Sequence, residues 1–305
     1  NDFFVNLAEA AVAGLGHAVL PGAALMNVFP VLRFIPSWFP GAGFKRVALE
    51  CRQLVLQMRD VPLAWVEARL KEGKMPNCIA VDLLENCQSK EHYAHIAGTA
   101  SSLGTFFLAM AMFPEFQAKA KKEIDVMIGT HRLVNFEDKE SLPYIEALRR
   151  EVMRWRPVFP LGVTRAASSD DIYNGCYIPE GATVMYNTWA VAHDPRRYPD
   201  PDAFNPDRFF NENGELNNDE VDFPFGYGRR MCPGRHFASA TIWLAIATVL
   251  QNFDIEKTRD SAGDEIPITG QYGDGFLRHP LPFECAITPR SKEATQVILN
   301  AMEHT

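Results

Sequence analysis

The chain has 305 residues, of which 47% are apolar, and a formal net charge of −8. That length allows one large domain or two small ones, with enough apolar side chains for a sizeable core. The acidic balance argues against a nucleic-acid partner, because a phosphate-binding surface needs a basic excess.

The opening residues, "NDFFVNLAEA", lack the basic start and clean apolar core of a signal peptide. Phe4 to Val19 reads as an apolar helix closed by Pro21-Gly22. From Ala10 to Leu32 there is no charged residue, a run long enough to raise the question of a membrane span. Gly14, Gly16, Pro21, Gly22 and Pro30 interrupt it, so two short buried helices and a loop are expected, with a surface that dips into a membrane as the alternative. Phe39-Pro40-Gly41 is a turn. Phe44 to Lys71 has helical spacing with mixed charge, which predicts a long amphipathic helix. Glu72 to Glu91 is polar, with short helical pieces.

His92 to Phe113 is small and apolar and predicts a buried helix. Pro114 starts the next helix at its first turn, and Gly129 ends it. Ser141-Leu142-Pro143 opens another, which runs to Trp155 and stops at Pro157. Then the texture changes. Val163 to Met185 alternates, Asn174-Gly175 is a two-residue hairpin signal, and Pro179-Glu180-Gly181 is a second turn. Asn211 to Glu220 is a polar loop. Gly234 to Phe253 is nearly all apolar, a buried helix. The last fifty residues or so are turn-rich, with short strands expected around Gln271 to Ile287. The pattern predicts a mainly α chain with a small segregated β-sheet, an α+β class.

Six cysteines (Cys51, Cys78, Cys87, Cys176, Cys232 and Cys285) show no C-x-x-C or C-x-x-C-H spacing. A disulfide framework is not expected, covalent c-type haem attachment is excluded, and reduced thiols in an intracellular setting are the expectation. Cys232 stands out. Gly226, Gly228 and Gly234 remove side-chain bulk around it, so a flat ligand can approach the backbone. The helix beginning near Gly234 points its free N–H groups at the sulfur, and Arg229, Arg230 and Arg235 add positive charge, a setting that suits a thiolate and a soft metal. Three other readings stand beside this one: an inert buried thiol, half of a zinc site with His236, or a nucleophile.

The segment "FGYGRRMCPG" fits F-G-x-G-x-R-x-C-x-G at Phe225, Gly226, Gly228, Arg230, Cys232 and Gly234. It resembles the haem-binding loop of the cytochrome P450 family, and ten residues with six fixed positions make a specific match. "EVMR", from Glu151 to Arg154, resembles the family's E-x-x-R. "FNPDRF", from Phe204 to Phe209, resembles its P-E-R-F segment, with Asp207 where Glu is usual. The resemblance covers most of the chain and is closest to fungal-type members.

By that resemblance, the fold is P450-like, one partial domain over 1–305. It would be mainly helical over 1–160, carry the small sheet over 161–210, and hold the haem loop, the proximal helix and C-terminal strands over 211–305. The cofactor implied is haem b (iron protoporphyrin IX), with Cys232 as the metal ligand. The implied activity is a monooxygenase inserting one oxygen atom from O2 into a hydrophobic small molecule. Its electrons would come from NADPH through a reductase, at the endoplasmic reticulum membrane, although no anchor is present in this sequence. Thiolate ligation pushes electron density onto iron and favours O–O cleavage. Arg230 and Arg165 match positions that pair with haem propionates. Glu151, Arg154 and Arg208 would form a buried structural network, one carboxylate between two guanidiniums. Phe159, Leu161, Val163 and Phe276 fall where substrate-contacting loops lie.

The family's distal helix carries A/G-G-x-D/E-T-T/S, whose acid and alcohol relay protons. Here the corresponding stretch is "HIAGTASSLGTFFLAMAMFPE", His95 to Glu115. Matched from Ala100 onward, it lacks on the order of ten residues, about 15 Å of helix, and with them the acid-alcohol pair. Thr99, Ser101 and Ser102 are the candidate hydroxyl donors that remain. The family's N-terminal part is also expected to be missing. The alternative function is therefore a haem-binding but catalytically impaired relative.

Overall fold

In the computed structural model, residues 93–303 are described without interruption, with Ala10 and scattered positions between 35 and 61 ahead of them. The helix expected over Phe4–Val19, apart from the helical Ala10, the pieces expected within Glu72–Glu91, and residues 62–71 of the helix expected from Phe44 lie outside the described residues. The chain forms two compact units, one of 99–273 with 278–305 and the other of 1–98 with 274–277. In the latter, Phe39 N–H donates to Pro36 O at 3.1 Å and Ala42 N–H to Phe39 O at 3.0 Å, which forms the expected turn. Every described position between 45 and 61 is helical, in keeping with the amphipathic pattern from Phe44, and Cys51 is buried.

The helices that follow start and stop where proline and glycine dictate. Helix α1 spans Tyr93–Met112, α2 Pro114–Met127 and α3 Pro143–Trp155. Pro114 and Pro143 stand in the first turn, where a missing N–H costs nothing. Beyond α2, Gly129 takes φ +72, and its N–H, like that of Ile128, returns to Ile124 O.

The strands are short. β1 (Arg165–Ala166) pairs antiparallel with β4 (Thr183–Val184), and β2 (Asp171–Tyr173) with β3 (Cys176–Ile178). The second hairpin turns at Asn174 (φ 49) and Gly175 (φ +79), two successive left-handed residues as a tight primed turn requires. α4 (Thr188–Ala192) follows, capped by the Asn187 side chain on Ala190 N–H at 2.9 Å.

The apolar stretch from Gly234 becomes α5, Arg235–Asn252, and leads into β5, Phe253–Lys257, which pairs antiparallel with β6, Cys285–Pro289. A last helix, α6, spans Lys292–Glu303. The small sheet expected over Val163–Met185 thus resolves into two two-stranded ladders, and β5 with β6 makes a third. α2, α3 and α5 pack together around Ile124, Ile145, Leu148, Ile242, Trp243 and Ile246, each fully buried. No helix among the described residues is long and apolar enough to cross a membrane.

Candidate functional site

The segment from Phe223 to Gly234 is held by its own backbone. Two 3-10 turns, Phe223–Phe225 and Gly228–Arg230, fold it back on itself, and Cys232 N–H donates to Phe225 O at 2.8 Å. Gly226 (φ +89) and Gly228 (φ +58) occupy left-handed conformations that other residues rarely adopt. Cys232 is half-buried, and Phe225 packs against the core. Helix α5 begins just after, at Arg235, with no side-chain bond from its Gly234 cap. Arg229 and Arg230 are exposed, as is Arg165 on β1. Among the described residues no three His, Cys, Asp or Glu side chains are grouped to share a metal ion, so no zinc-type cluster forms around Cys232 and His236 there.

Tyr186 joins this loop to the segment after α3. Its ring fills the space over Gly162, where an added β-carbon would stand 2.2 Å from the ring. Its hydroxyl lies 3.0 Å from the corresponding position on Gly226 and accepts Val163 N–H at 3.2 Å. Tyr227 meets the same ring edge-on at 5.2 Å. Sequence reasoning missed Tyr186. The only trace is a glycine in each of the two segments it touches.

Beneath the loop, Glu151 and Arg154 sit one turn apart on α3, both fully buried. Arg154 grips the carboxylate with two bonds of 2.7 and 2.8 Å. Its remaining donors reach Ala192 O, Pro201 O and Ala203 O. Arg208 approaches the same carboxylate at 3.4 Å and donates to Pro199 O and Asp200 O, while Asn205 N–H donates to Glu151 at 2.7 Å. Three segments are thereby tied to one carboxylate whose charge is matched on all sides. Asp207, standing where the family pattern has Glu, pairs with Lys119 at 2.5 Å and accepts the Tyr144 hydroxyl at 3.1 Å. One turn earlier on α3, burial pushes the Glu146 carboxyl up, but Arg149 and Arg150 bond it and hold it below its ordinary value. Both arginines also reach backbone carbonyls of 217–220, which anchors the polar loop ahead of Phe223.

On α1, Ser101 is buried and donates to Arg278 O; Ser102 is buried and lies 3.6 Å from Met153 Sδ. Thr99 is half-buried. One turn on, buried Thr105 accepts the Tyr272 hydroxyl at 3.0 Å. Of the candidate substrate contacts, Phe159 and Val163 are half-buried and Leu161 is exposed. Phe276 is half-buried and belongs to the other unit.

A family model described as Cytochrome P450 matches residues 93–287. A cytochrome P450 monooxygenase of Armillaria gallica is 40% identical over 313 residues, covering 97% of this chain and 61% of the relative. Cytochrome P450 monooxygenase claR of Ampulloclitocybe clavipes is 40% identical over 310 residues, with 97% and 58% covered. Cytochrome P450 monooxygenase 98 of Postia placenta is 38% identical over 325 residues, with 100% and 62% covered. The chain therefore spans about three fifths of the length of these curated relatives.

Proposed function

The chain belongs to the cytochrome P450 family, and from that membership we propose that it holds an iron porphyrin at Cys232 and acts as a haem-thiolate monooxygenase on a hydrophobic small molecule. The observation that carries the reading is the Cys232 loop: one half-buried thiol, closed by a 2.8 Å backbone bond to Phe225 and turned by two left-handed glycines.

The residues present fit the group. Cys232 offers a single sulfur, as an axial ligand needs, with no cluster of competing ligands among the described residues. Gly228, exposed and with nothing within 4 Å of where a β-carbon would stand, leaves backbone open for a flat ring to lie against, whereas Gly226 is covered by Tyr186. Arg230 and Arg165, both exposed, suit the two propionates. When bound, the iron supplies O2 activation, with thiolate donation favouring O–O cleavage.

The protein's own groups do the rest. Phe225, within the loop, would pack near the sulfur and shield it from water. The Glu151–Arg154–Arg208 network holds the loop's foundation rigid. Phe159, Leu161 and Val163 give an apolar surface for substrate to bind, and Phe276 is carried as a substrate contact by family kinship alone. Arg229, Arg230 and Arg235 form a local basic face for an NADPH-dependent reductase, and residence at the endoplasmic reticulum follows from family kinship. A single domain over 1–305 is part of this reading.

One observation favours a second reading, a haem-binding relative that does not turn over. Ser101 and Ser102, two of the three candidate hydroxyl donors, are buried and engaged with Arg278 O and Met153 Sδ. Neither is free to relay protons in this arrangement.

The test is spectroscopic. The full chain is loaded with haem, reduced and exposed to CO. A red-shifted Soret band that disappears in Cys232→Ala supports thiolate ligation; a chain that shows no such band, and behaves like Cys232→Ala, refutes both readings. Turnover with NADPH and a reductase then separates them.

A further inference from the structure

Arg278 presents a half-buried guanidinium that makes no hydrogen bond or ion pair to any described residue. It lies over two aromatic faces instead, its Cζ 5.0 Å from the Trp189 ring centre and 5.4 Å from that of Tyr272. Arg156 shares the same indole at 5.4 Å and stands over Trp155 at 4.5 Å. Its bonds are two long ones, 3.3 Å to Trp155 O and 3.4 Å to His193 Nε2. The nearest carboxylate, Asp202, is 4.0 Å from Arg156 and largely exposed.

Two guanidiniums over one indole repel each other, and one solvated carboxylate does not balance them. His193 adds no charge near neutrality: burial lowers its pKa to about 4, and its stacking on Trp189 at 3.6 Å leaves Nδ1 on Trp189 O. The cluster therefore carries one net positive charge. Its backbone is already fixed, because Arg278 N–H donates to Val158 O at 2.8 Å and Trp189 N–H to Pro160 O at 2.9 Å. A site with rigid donors, one spare charge and aromatic walls lowers the ordering cost of a ligand.

We propose that Arg278 and Arg156, framed by Trp189 and Tyr272, form a binding site for a carboxylate carried on a flat apolar body. The guanidinium plane suits a bidentate carboxylate, the rings suit the apolar body, and one net charge matches a monoanion rather than a phosphate dianion. This site is separate from the Cys232 loop reading and stands without it.

The probe is benzoate, titrated into the full chain and followed by calorimetry and tryptophan fluorescence, with benzamide as the neutral isostere and inorganic phosphate as an anion lacking the ring. Benzoate is expected to bind about tenfold more tightly than benzamide, the worth of one charge-assisted pair. Phosphate binds more weakly than benzoate. Arg278→Gln brings benzoate to within about twofold of benzamide, and Arg278→Lys keeps part of the difference. If Arg278→Gln alters the circular dichroism spectrum, Arg156→Gln is read in its place. Equal affinity for benzoate and benzamide, phosphate binding more tightly than benzoate, or benzoate binding unchanged in both glutamine variants overturns the site. The carboxylate is that of a free acid, so benzoate binding is expected to survive haem loading of the chain; binding lost on loading would make these arginines part of the haem site and overturn the proposal.

Discussion

The Glu123 carboxylate caps a helix to which it does not belong. From α2 it accepts Tyr144 N–H at 2.9 Å and Ile145 N–H at 3.3 Å, at the start of α3. The helix's own cap, Leu142, offers no side-chain bond. A negative charge on a helix N-terminus also meets the favourable end of its dipole. Glu123→Ala is expected to destabilise the chain by about 1–2 kcal/mol, the usual worth of a lost cap, in urea unfolding followed by circular dichroism. Glu123→Gln, which keeps an acceptor oxygen but not the charge, loses less.

Arg154 is a harsher case. Removing it takes the bidentate partner from a fully buried Glu151 and the guanidinium donor from Ala192 O and Pro201 O, while Ala203 O keeps Arg208. Arg154→Ala should cost about 3–5 kcal/mol, enough to leave much of the protein unfolded at ambient temperature. Arg154→Lys does not rescue, because a point charge cannot span a bidentate carboxylate and three carbonyls at once. Soluble yield and the urea midpoint report both.

Gly162 faces a filled space. With φ +61 and a would-be β-carbon 2.2 Å from the Tyr186 ring, Gly162→Ala meets both backbone strain and a steric clash. A loss of more than about 2 kcal/mol is expected. The double variant Gly162→Ala with Tyr186→Ala recovers the steric part but not the strain. Additive losses, as for distant sites, would show that the ring and the glycine are not in contact.

His193 sets a pH slope. Burial leads the causes that lower its pKa from 6.5 to about 4, and Arg154 and Arg156 add to it. Asp202 and the Trp189 carbonyl oppose the shift. A base depressed in the folded state stays neutral there while the unfolded chain takes up a proton. Stability is therefore full above about pH 6.5 and falls as pH drops towards 4, by about 1–2 kcal/mol from this half-buried group once solvent screening is allowed for. Urea midpoints of wild type and His193→Gln across that window are the measurement, and the variant should show the shallower slope.

Much of this was readable residue by residue. Pro114, Pro143 and Gly129 mark helix limits because each acts on its own backbone. Asn174-Gly175 fixed a hairpin for the same reason, and six spaced residues marked the Cys232 loop. The ladder of Arg165–Ala166 on Thr183–Val184 was less legible, since two residues cannot display a period. β5 overlaps the apolar helix read from Gly234 only at Phe253, and α6 lay in a segment read for its turns. Tyr186 over Gly162, Glu123 at Tyr144 and Arg278 over Trp189 were not legible at all. Each is a contact between distant segments, made by residue types common on any surface.

Ser101 and Thr105 lie one turn apart on α1, and both are bonded to the chain's C-terminal portion, at Arg278 and Tyr272. A helix stitched at two successive turns has its rotation and its rise fixed from that point onward. Residues gained or lost before Ser101 alter only how far the helix extends the other way, whereas a single residue inserted between the stitches would turn one hydroxyl by about 100° out of reach. The chain can thus absorb a change of length on one side of Ser101 without disturbing the packing that follows, like a ruler clamped near one end.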